Sequence, residues 1–250
     1  MSRERFPMPL PMLLDGLLEL VAPTTCAGCE WPGAVLCDTC DSRLERIVTE
    51  RACPACGAPE CHRRCHECTG HTFPFSAARC AVVFEEPAPR IVILHKEAAE
   101  RRLATAMARV MAPTLADWAD GWVDAVVGVP AAPSAVSRRA YDHGSGLALA
   151  LAEALGLPVA RPLRCLTARD QRALGREARA ANVAFTCAPE RNRRLLGPAM
   201  EVAAVMPPGN ILLVDDVFTT GATAAAATRA LLAAGTREVR VATFARVLRA

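Results

Sequence analysis

Two sets of residues in this chain have the types and spacing to do chemistry. The first is a run of cysteine pairs: Cys26-x2-Cys29, Cys37-x2-Cys40, Cys53-x2-Cys56 and Cys65-x2-Cys68. Two residues between cysteines let both thiolates face one ion in a tight knuckle. Two knuckles complete a tetrahedral four-sulfur shell, which suits zinc. Eight such ligands predict two structural zinc sites, and a closed shell leaves no open position for catalysis. Sequential and interleaved pairing of the knuckles both stay open, with Cys61, His62 and His66 read as bystanders.

The second set lies in Ile211-Leu212-Leu213-Val214-Asp215-Asp216-Val217-Phe218-Thr219-Thr220-Gly221-Ala222-Thr223. An apolar strand over Ile211 to Val214 ends in two acids, turns through Thr-Thr-Gly and opens a helix. Free amides at a helix N-terminus, with threonine hydroxyls, make an anion cradle. Gly221 permits a tight turn and close approach of backbone to phosphate. Asp215 and Asp216 stand where the hydroxyls of a sugar would lie, since ligands bind at the carboxyl ends of strands in such sheets. Adjacent charges at the end of an apolar strand are costly unless used. The Walker A pattern is absent. Lys96 is the single lysine in a chain that otherwise uses arginine, a hint that a compact ammonium is needed there. His95 and His143 are read as either bases or structural partners.

Composition bounds the rest. The chain has 250 residues, 52% hydrophobic and 22% charged, which is a globular profile. Net charge is +3 and aromatics are 4%, which disfavours a nucleic-acid groove built on stacking. No window is long and apolar enough for a membrane span. Leu10 to Val21 contains Asp15 and Glu19 and reads as an amphipathic helix rather than a signal peptide, so a cytoplasmic protein is expected.

The elements that must position these residues follow from their patterns. Short apolar runs at Cys80–Phe84, Ile91–Leu94, Ala125–Val129, Ile211–Val214 and Val239–Phe244 are expected as strands. Helices are expected over Glu97–Trp118 with a break at Pro113, and over Gly144–Leu155, Arg169–Ala181 and Ala222–Ala234. Strands alternating with helices predict an α/β fold with a mostly parallel sheet flanked by helices. The expected divisions are an N-terminal amphipathic helix (residues 1–24), a cysteine-rich zinc module (25–72) and an α/β domain (75–250).

The Asp-Asp-Val-Phe-Thr-Thr-Gly segment resembles the phosphoribosyl-diphosphate (PRPP) motif of type I phosphoribosyltransferases. With the cysteine module, the whole chain resembles the ComF family. Leu94-His95-Lys96 is similar to that family's short strand with lysine. The stretch from Val127-Gly128-Val129-Pro130 to Arg138 and Arg139 resembles its proline-bounded loop and arginine-rich turn. Thr167, Gln171, Leu174, Arg179 and Asn182 fall on its Thr-x3-Gln-x2-Leu-x4-Arg-x2-Asn pattern. The turn departs from the family's Arg-Gly-Phe-Asn-Gln, reading Arg139-Ala140-Tyr141-Asp142-His143, so alanine stands where a glycine's positive φ would be available.

The resemblance implies a phosphoribosyltransferase-like fold with a small N-terminal zinc module. It implies that Thr219, Thr220, Gly221, Ala222 and Thr223 hold the 5-phosphate, that Asp215 and Asp216 hold the ribose, and that Lys96 assists. Pro130, Arg138 and Arg139 would serve pyrophosphate, and magnesium would bridge its oxygens. A mobile loop would carry Arg169, Gln171, Arg172 and Arg179, although a solvated basic face explains those arginines equally well. The acceptor of the phosphoribosyl group is not specified. The family's name also implies an alternative role in competence and DNA uptake, through zinc-module contacts with a helicase or single-stranded DNA.

Overall fold

The alternating apolar runs build one parallel sheet in the computed structural model, which describes residues 23–61, 63–97, 101–166, 184–187 and 209–248. Its strands are β1 (Ala77–Val83), β2 (Ala125–Gly128), β3 (Val159–Ala160), β6 (Asn210–Phe218) and β7 (Glu238–Arg246). Their order is β1-β7-β6-β2-β3, with every neighbour parallel. A separate antiparallel pair joins β4 (Leu163–Cys165) to β5 (Phe185–Cys187). Among the described residues the helices are α1 (Asp38–Ser42), α2 (Ala88–Glu97), α3 (Arg101–Met111), α4 (Ala116–Ala119), α5 (Pro133–Arg139), α6 (His143–Leu155) and α7 (Ala222–Ala233). Among the described residues, no helix is long and apolar enough to cross a membrane.

The strand order creates a crevice where the chemistry was expected. From β2 the chain runs to its outer neighbour β3, whereas from β6 it runs the opposite way to β7. Adjacent strands whose connections diverge leave a gap at their carboxyl ends, the usual ligand position in open parallel sheets. Both faces are covered, as parallel sheets require. On one face Leu212, Val214 and Phe244 pack with Ile91, Met107 and Leu151; on the other Ile211, Leu213 and Val241 pack with Ala227 and Leu231 of α7.

The cysteine-rich segment wraps the outer edge of β1. Arg46 bridges Val82 in antiparallel fashion, and Ile47 N and Val83 N exchange hydrogen bonds with the carbonyls of Ala81 and Glu45. Pairing of this kind satisfies an edge that would otherwise expose its backbone groups. Cys26, Leu36, Cys40 and Leu44 join the core on one face of the sheet, while Cys53, Cys56 and Cys68 join it on the other. The two cysteine groups therefore straddle β1.

Three expectations are corrected. Ile91–Leu94 is not a strand but the middle of α2. Its buried residues Ala88, Ile91, Val92 and His95 follow a helical stripe, so packing on the sheet overrides the β-branched propensity. The predicted helix over Glu97–Trp118 breaks near Pro113, as expected, but resumes only as the single turn α4 after a 3-10 turn at Ala112–Leu115. The strand expected to stop at Val214 runs on through both acids to Phe218, because β7 keeps pairing with it after β2 has ended. The helix ending at Gly156 forms as predicted, with that glycine left-handed at φ 68°. The N-terminal amphipathic helix, the helix over Arg169–Ala181 and the residues Arg169, Gln171, Arg172 and Arg179 lie outside the described residues.

Candidate functional site

β2 pairs with β6 only as far as Gly128 and Val214, so Asp215 is the first β6 residue past the end of its neighbour. Asp216 turns toward the α2 and α6 side, where Lys96 Nζ lies 2.8 Å from its Oδ1. The Asp216 side chain is 4% exposed and that of Lys96 34%. His143 Nε2 lies 3.9 Å from Asp216 Oδ2, an oxygen that is buried without a hydrogen-bond partner. Burial lowers the His143 pKa, and Lys96 adds to this against the pull of Asp216, so the imidazole is neutral at pH 7. Burial, and then the Asp216 charge, push the Asp215 carboxyl up to about 8, with Lys96 opposing. Two adjacent acids sharing one lysine thus hold a proton in the free protein near neutrality.

The helix-opening loop is built as its sequence requires. Gly221 is the N-cap of α7 at φ 77°, and no side-chain hydrogen bond caps the helix there. A Cβ on Gly221 would meet Phe218 at 2.7 Å and Phe73 at 3.0 Å, so both conformation and space demand glycine. Thr219, Thr220 and Ala222 are exposed and Thr223 is half-buried. Thr220 Oγ1 accepts from the Ala222 amide at 3.3 Å. Exposed hydroxyls beside a helix N-terminus can receive an anion, aided by the helix dipole.

Across the crevice, the segment after β2 is held by Asp142. Its Oδ1 accepts from the amides of Ala131 and Ser145, both at 3.2 Å, and its Oδ2 accepts from Ser145 Oγ at 2.7 Å. Asp142 therefore caps α6 and also fastens the turn after Pro130. Ala140 adopts φ 52°, so this chain keeps the left-handed conformation there without glycine. Pro130 is half-buried and Arg138 exposed. Arg139 pairs with Glu97 Oε1 at 2.5 Å, with its side chain 11% exposed. His95 is fully buried, its Nε2 3.3 Å from the His143 carbonyl, and its ring meets Tyr141 and His143 edge-on. It supports the site from beneath.

The eight paired cysteines gather sequentially, as Cys26, Cys29, Cys37 and Cys40, and as Cys53, Cys56, Cys65 and Cys68. Within each group the sulfurs lie within 4.8 Å of one another. Cys29 and Cys37 are 3.8 Å apart, and Cys56 and Cys65 3.5 Å. A zinc tetrahedron with bonds of about 2.3 Å has edges of roughly 3.8 Å, so both groups fit. Burial raises the Cys26 thiol, but amide hydrogen bonds led by that of Cys37 outweigh it and bring it down to about 6. Burial and the neighbouring sulfurs push Cys40 up to about 12. Four thiolates need a cation to coexist, and two zinc ions would supply it. Cys61 stands outside the second group. Arg246, a buried charge closing strand β7, belongs to no motif; its one signal in the sequence is a charge following the mostly apolar run Val239–Ala245, the same signal that marks Asp215 and Asp216.

Fold and site define an α/β protein with a parallel sheet, a carboxylate pair at its open crevice and two four-cysteine groups. No protein-family model matches the chain. It is similar to the DNA utilization protein YhgH of Escherichia coli (strain K12) and of Shigella flexneri. Each is 28% identical over 241 residues, which covers 92% of this chain and all of the relative. Among solved structures, orotate phosphoribosyltransferase from Aeropyrum pernix aligns over 63% of each chain at 20% identity, with a TM-score of 0.31.

Proposed function

We propose that this chain is a ComF-like protein that binds PRPP with magnesium and transfers phosphoribosyl to an acceptor, in the service of DNA utilization. The observation that carries the reading is the carboxylate pair at the crevice. Asp216 is tied to the only lysine, and the strand bearing it leads through the Thr219–Gly221 turn to a helix whose N-cap residue, Gly221, has no side chain to cap it. Residues 25–72 form the zinc module of this reading and residues 75–250 its phosphoribosyltransferase-like domain, with the N-terminal helix within residues 1–24.

The amides and hydroxyls of Thr219 to Thr223 bind the 5-phosphate, which fixes the sugar. Asp215 and Asp216 accept from the two ribose hydroxyls, orienting the ring so that its anomeric carbon faces the turn after β2. Asp142 holds that turn in place for the diphosphate, with Arg138 at its exposed end. The buried, unpartnered Asp216 Oδ2, and the Asp215 carboxyl once it gives up its proton to the incoming cation, suit a hard cation. Magnesium, when bound with PRPP, would neutralise the departing diphosphate. The bond from the anomeric carbon to diphosphate oxygen breaks as a bond to an acceptor nitrogen forms. Lys96 limits repulsion between the acids as the ligand enters.

Isothermal titration of PRPP with and without magnesium tests the reading, on wild type and on Asp215→Asn/Asp216→Asn. Each lost charged hydrogen bond is expected to cost roughly 1.5–3 kcal/mol. Equal affinity in both proteins refutes the site. The name of the relatives favours a second reading, a non-catalytic DNA-uptake component that docks a helicase or single-stranded DNA. Under that reading single-stranded DNA binds by fluorescence anisotropy and no diphosphate is released from PRPP.

A further inference from the structure

Among the described residues Arg246 is the largest fully buried side chain, 1% exposed. Its guanidinium reaches in two directions. Nη1 donates to the Thr219 carbonyl at 3.2 Å and to the Val247 carbonyl. Nη2 donates to Glu67 Oε2 at 2.8 Å and lies 3.6 Å from Cys56 Sγ. Glu67 sits between Cys65 and Cys68 of the second four-cysteine group, whereas Thr219 opens the loop before α7. A guanidinium is a planar, rigid fork, so a shift of one partner must be passed to the other or break a bond. A buried cation also needs negative partners, and a zinc ion with four thiolates, net −2, supplies them beside Glu67.

A second connection runs through aromatic rings. Phe73 and Phe75, just after Cys68, stack with centroids 4.7 Å apart, and each meets Phe218 edge-on at 6.2 Å. Phe73 and Phe218 are the two rings against which Gly221 is fitted. Phe218 pairs in register with Arg246 across β6 and β7, and the guanidinium lies 5.2 Å from its ring. The loop thus rests on the strap that leaves the second cysteine group.

We propose that Arg246 is a positioning residue that transmits the geometry of the Cys53, Cys56, Cys65 and Cys68 group to the anion loop at Thr219–Thr223. The group then acts on ligand binding through Glu67, Arg246 and the Thr219 carbonyl, and is more than a staple for the fold. The effect on PRPP rests on the reading given above; the mechanical tie does not.

Hydrogen–deuterium exchange of the amides in residues 219–224 reads the tie directly, alongside zinc content by elemental analysis and PRPP affinity by calorimetry. Glu67→Ala, retaining both zinc ions, is expected to speed exchange there several-fold and weaken PRPP binding about tenfold, the scale of one charged hydrogen bond. Glu67→Gln keeps an acceptor and is expected to restore near wild-type exchange. Arg246→Lys keeps the charge but cannot span both acceptors, and is expected to behave like Glu67→Ala. Wild-type exchange in Glu67→Ala, or in Arg246→Lys, at full zinc content overturns the proposal. Faster exchange in a protein whose wild type fails to bind PRPP upholds the tie and refutes the ligand.

Discussion

Lys96→Met isolates the ion pair on which the crevice depends. Lys96 Nζ lies 2.8 Å from an Asp216 carboxylate that is 4% exposed. Removing the ammonium leaves that carboxylate buried, with its other oxygen also unpartnered and with Asp215 beside it. Breaking a fully buried pair costs about 3–5 kcal/mol. The Lys96 side chain is 34% exposed, so water reaches the vacated end, and the loss of one charged hydrogen bond, roughly 1.5–3 kcal/mol, is the better scale. For a chain of this size that lowers the melting temperature by roughly 3–12 °C. The penalty has a pH signature. Near pH 8.5 Asp215 is largely ionised in the wild type, and the variant, deprived of the ammonium that lowers the Asp215 pKa, loses more there than at about pH 5.5, where Asp215 is protonated in both proteins. Thermal unfolding of wild type, Lys96→Met, Asp216→Asn and the double variant, at both pH values, closes a double-mutant cycle. Zero coupling at the higher pH, or a Lys96→Met protein that melts like wild type there, refutes the argument that Lys96 compensates the acids.

The remaining predictions follow from the same geometry. Reductively purified protein is expected to carry two zinc ions. Cys29→Ser or Cys56→Ser is expected to lower zinc content and soluble yield by elemental analysis, whereas Cys165→Ser and Cys187→Ser leave both unchanged. Gly221→Ala forces a side chain into the left-handed region and against Phe218 and Phe73, so denaturant unfolding is expected to show a loss of at least about 1–2 kcal/mol, with weaker anion binding. Asp215 has a folded pKa raised to about 8, above its unfolded value of about 3.9. Between those values the folded state holds a proton that the unfolded chain releases, so this group's contribution to stability is lost as pH rises toward 8. Asp215→Asn is expected to flatten that slope in pH-dependent melting curves. If the carboxylate form receives the magnesium complex, PRPP affinity rises from about pH 6 to about pH 8 with proton release, seen as a buffer-dependent heat of binding.

What could be read in the sequence was whatever chemistry is carried by short spacing. Four Cys-x2-Cys pairs announce their knuckles, because the two cysteines of each are neighbours in any fold; which knuckles share a shell depends on how the chain closes over β1, and spacing left it open. The strand, turn and helix from Ile211 to Thr223 were legible because they are contiguous. The length of β6 was not, because the residues that keep it extended past Val214 belong to β7, more than twenty positions away. Ile91–Leu94 shows the same limit from the other side. A β-branched run became a helix because the sheet needed cover on that face, and nothing local records that need. Yet Lys96 still arrives beside Asp216. A parallel sheet offers its ligand crevice at one edge, and a helix packed along a face brings its last turn to that edge as readily as a strand would. The element carrying Lys96 is misjudged from sequence, and its pairing with Asp216 is set by topology and by the cost of leaving a buried carboxylate without a cation, neither of which is written in the residues around it. Arg246 follows the same logic from the opposite charge. A buried guanidinium at the end of a strand must find an anion, and the one it finds, Glu67, lies 179 residues away in sequence.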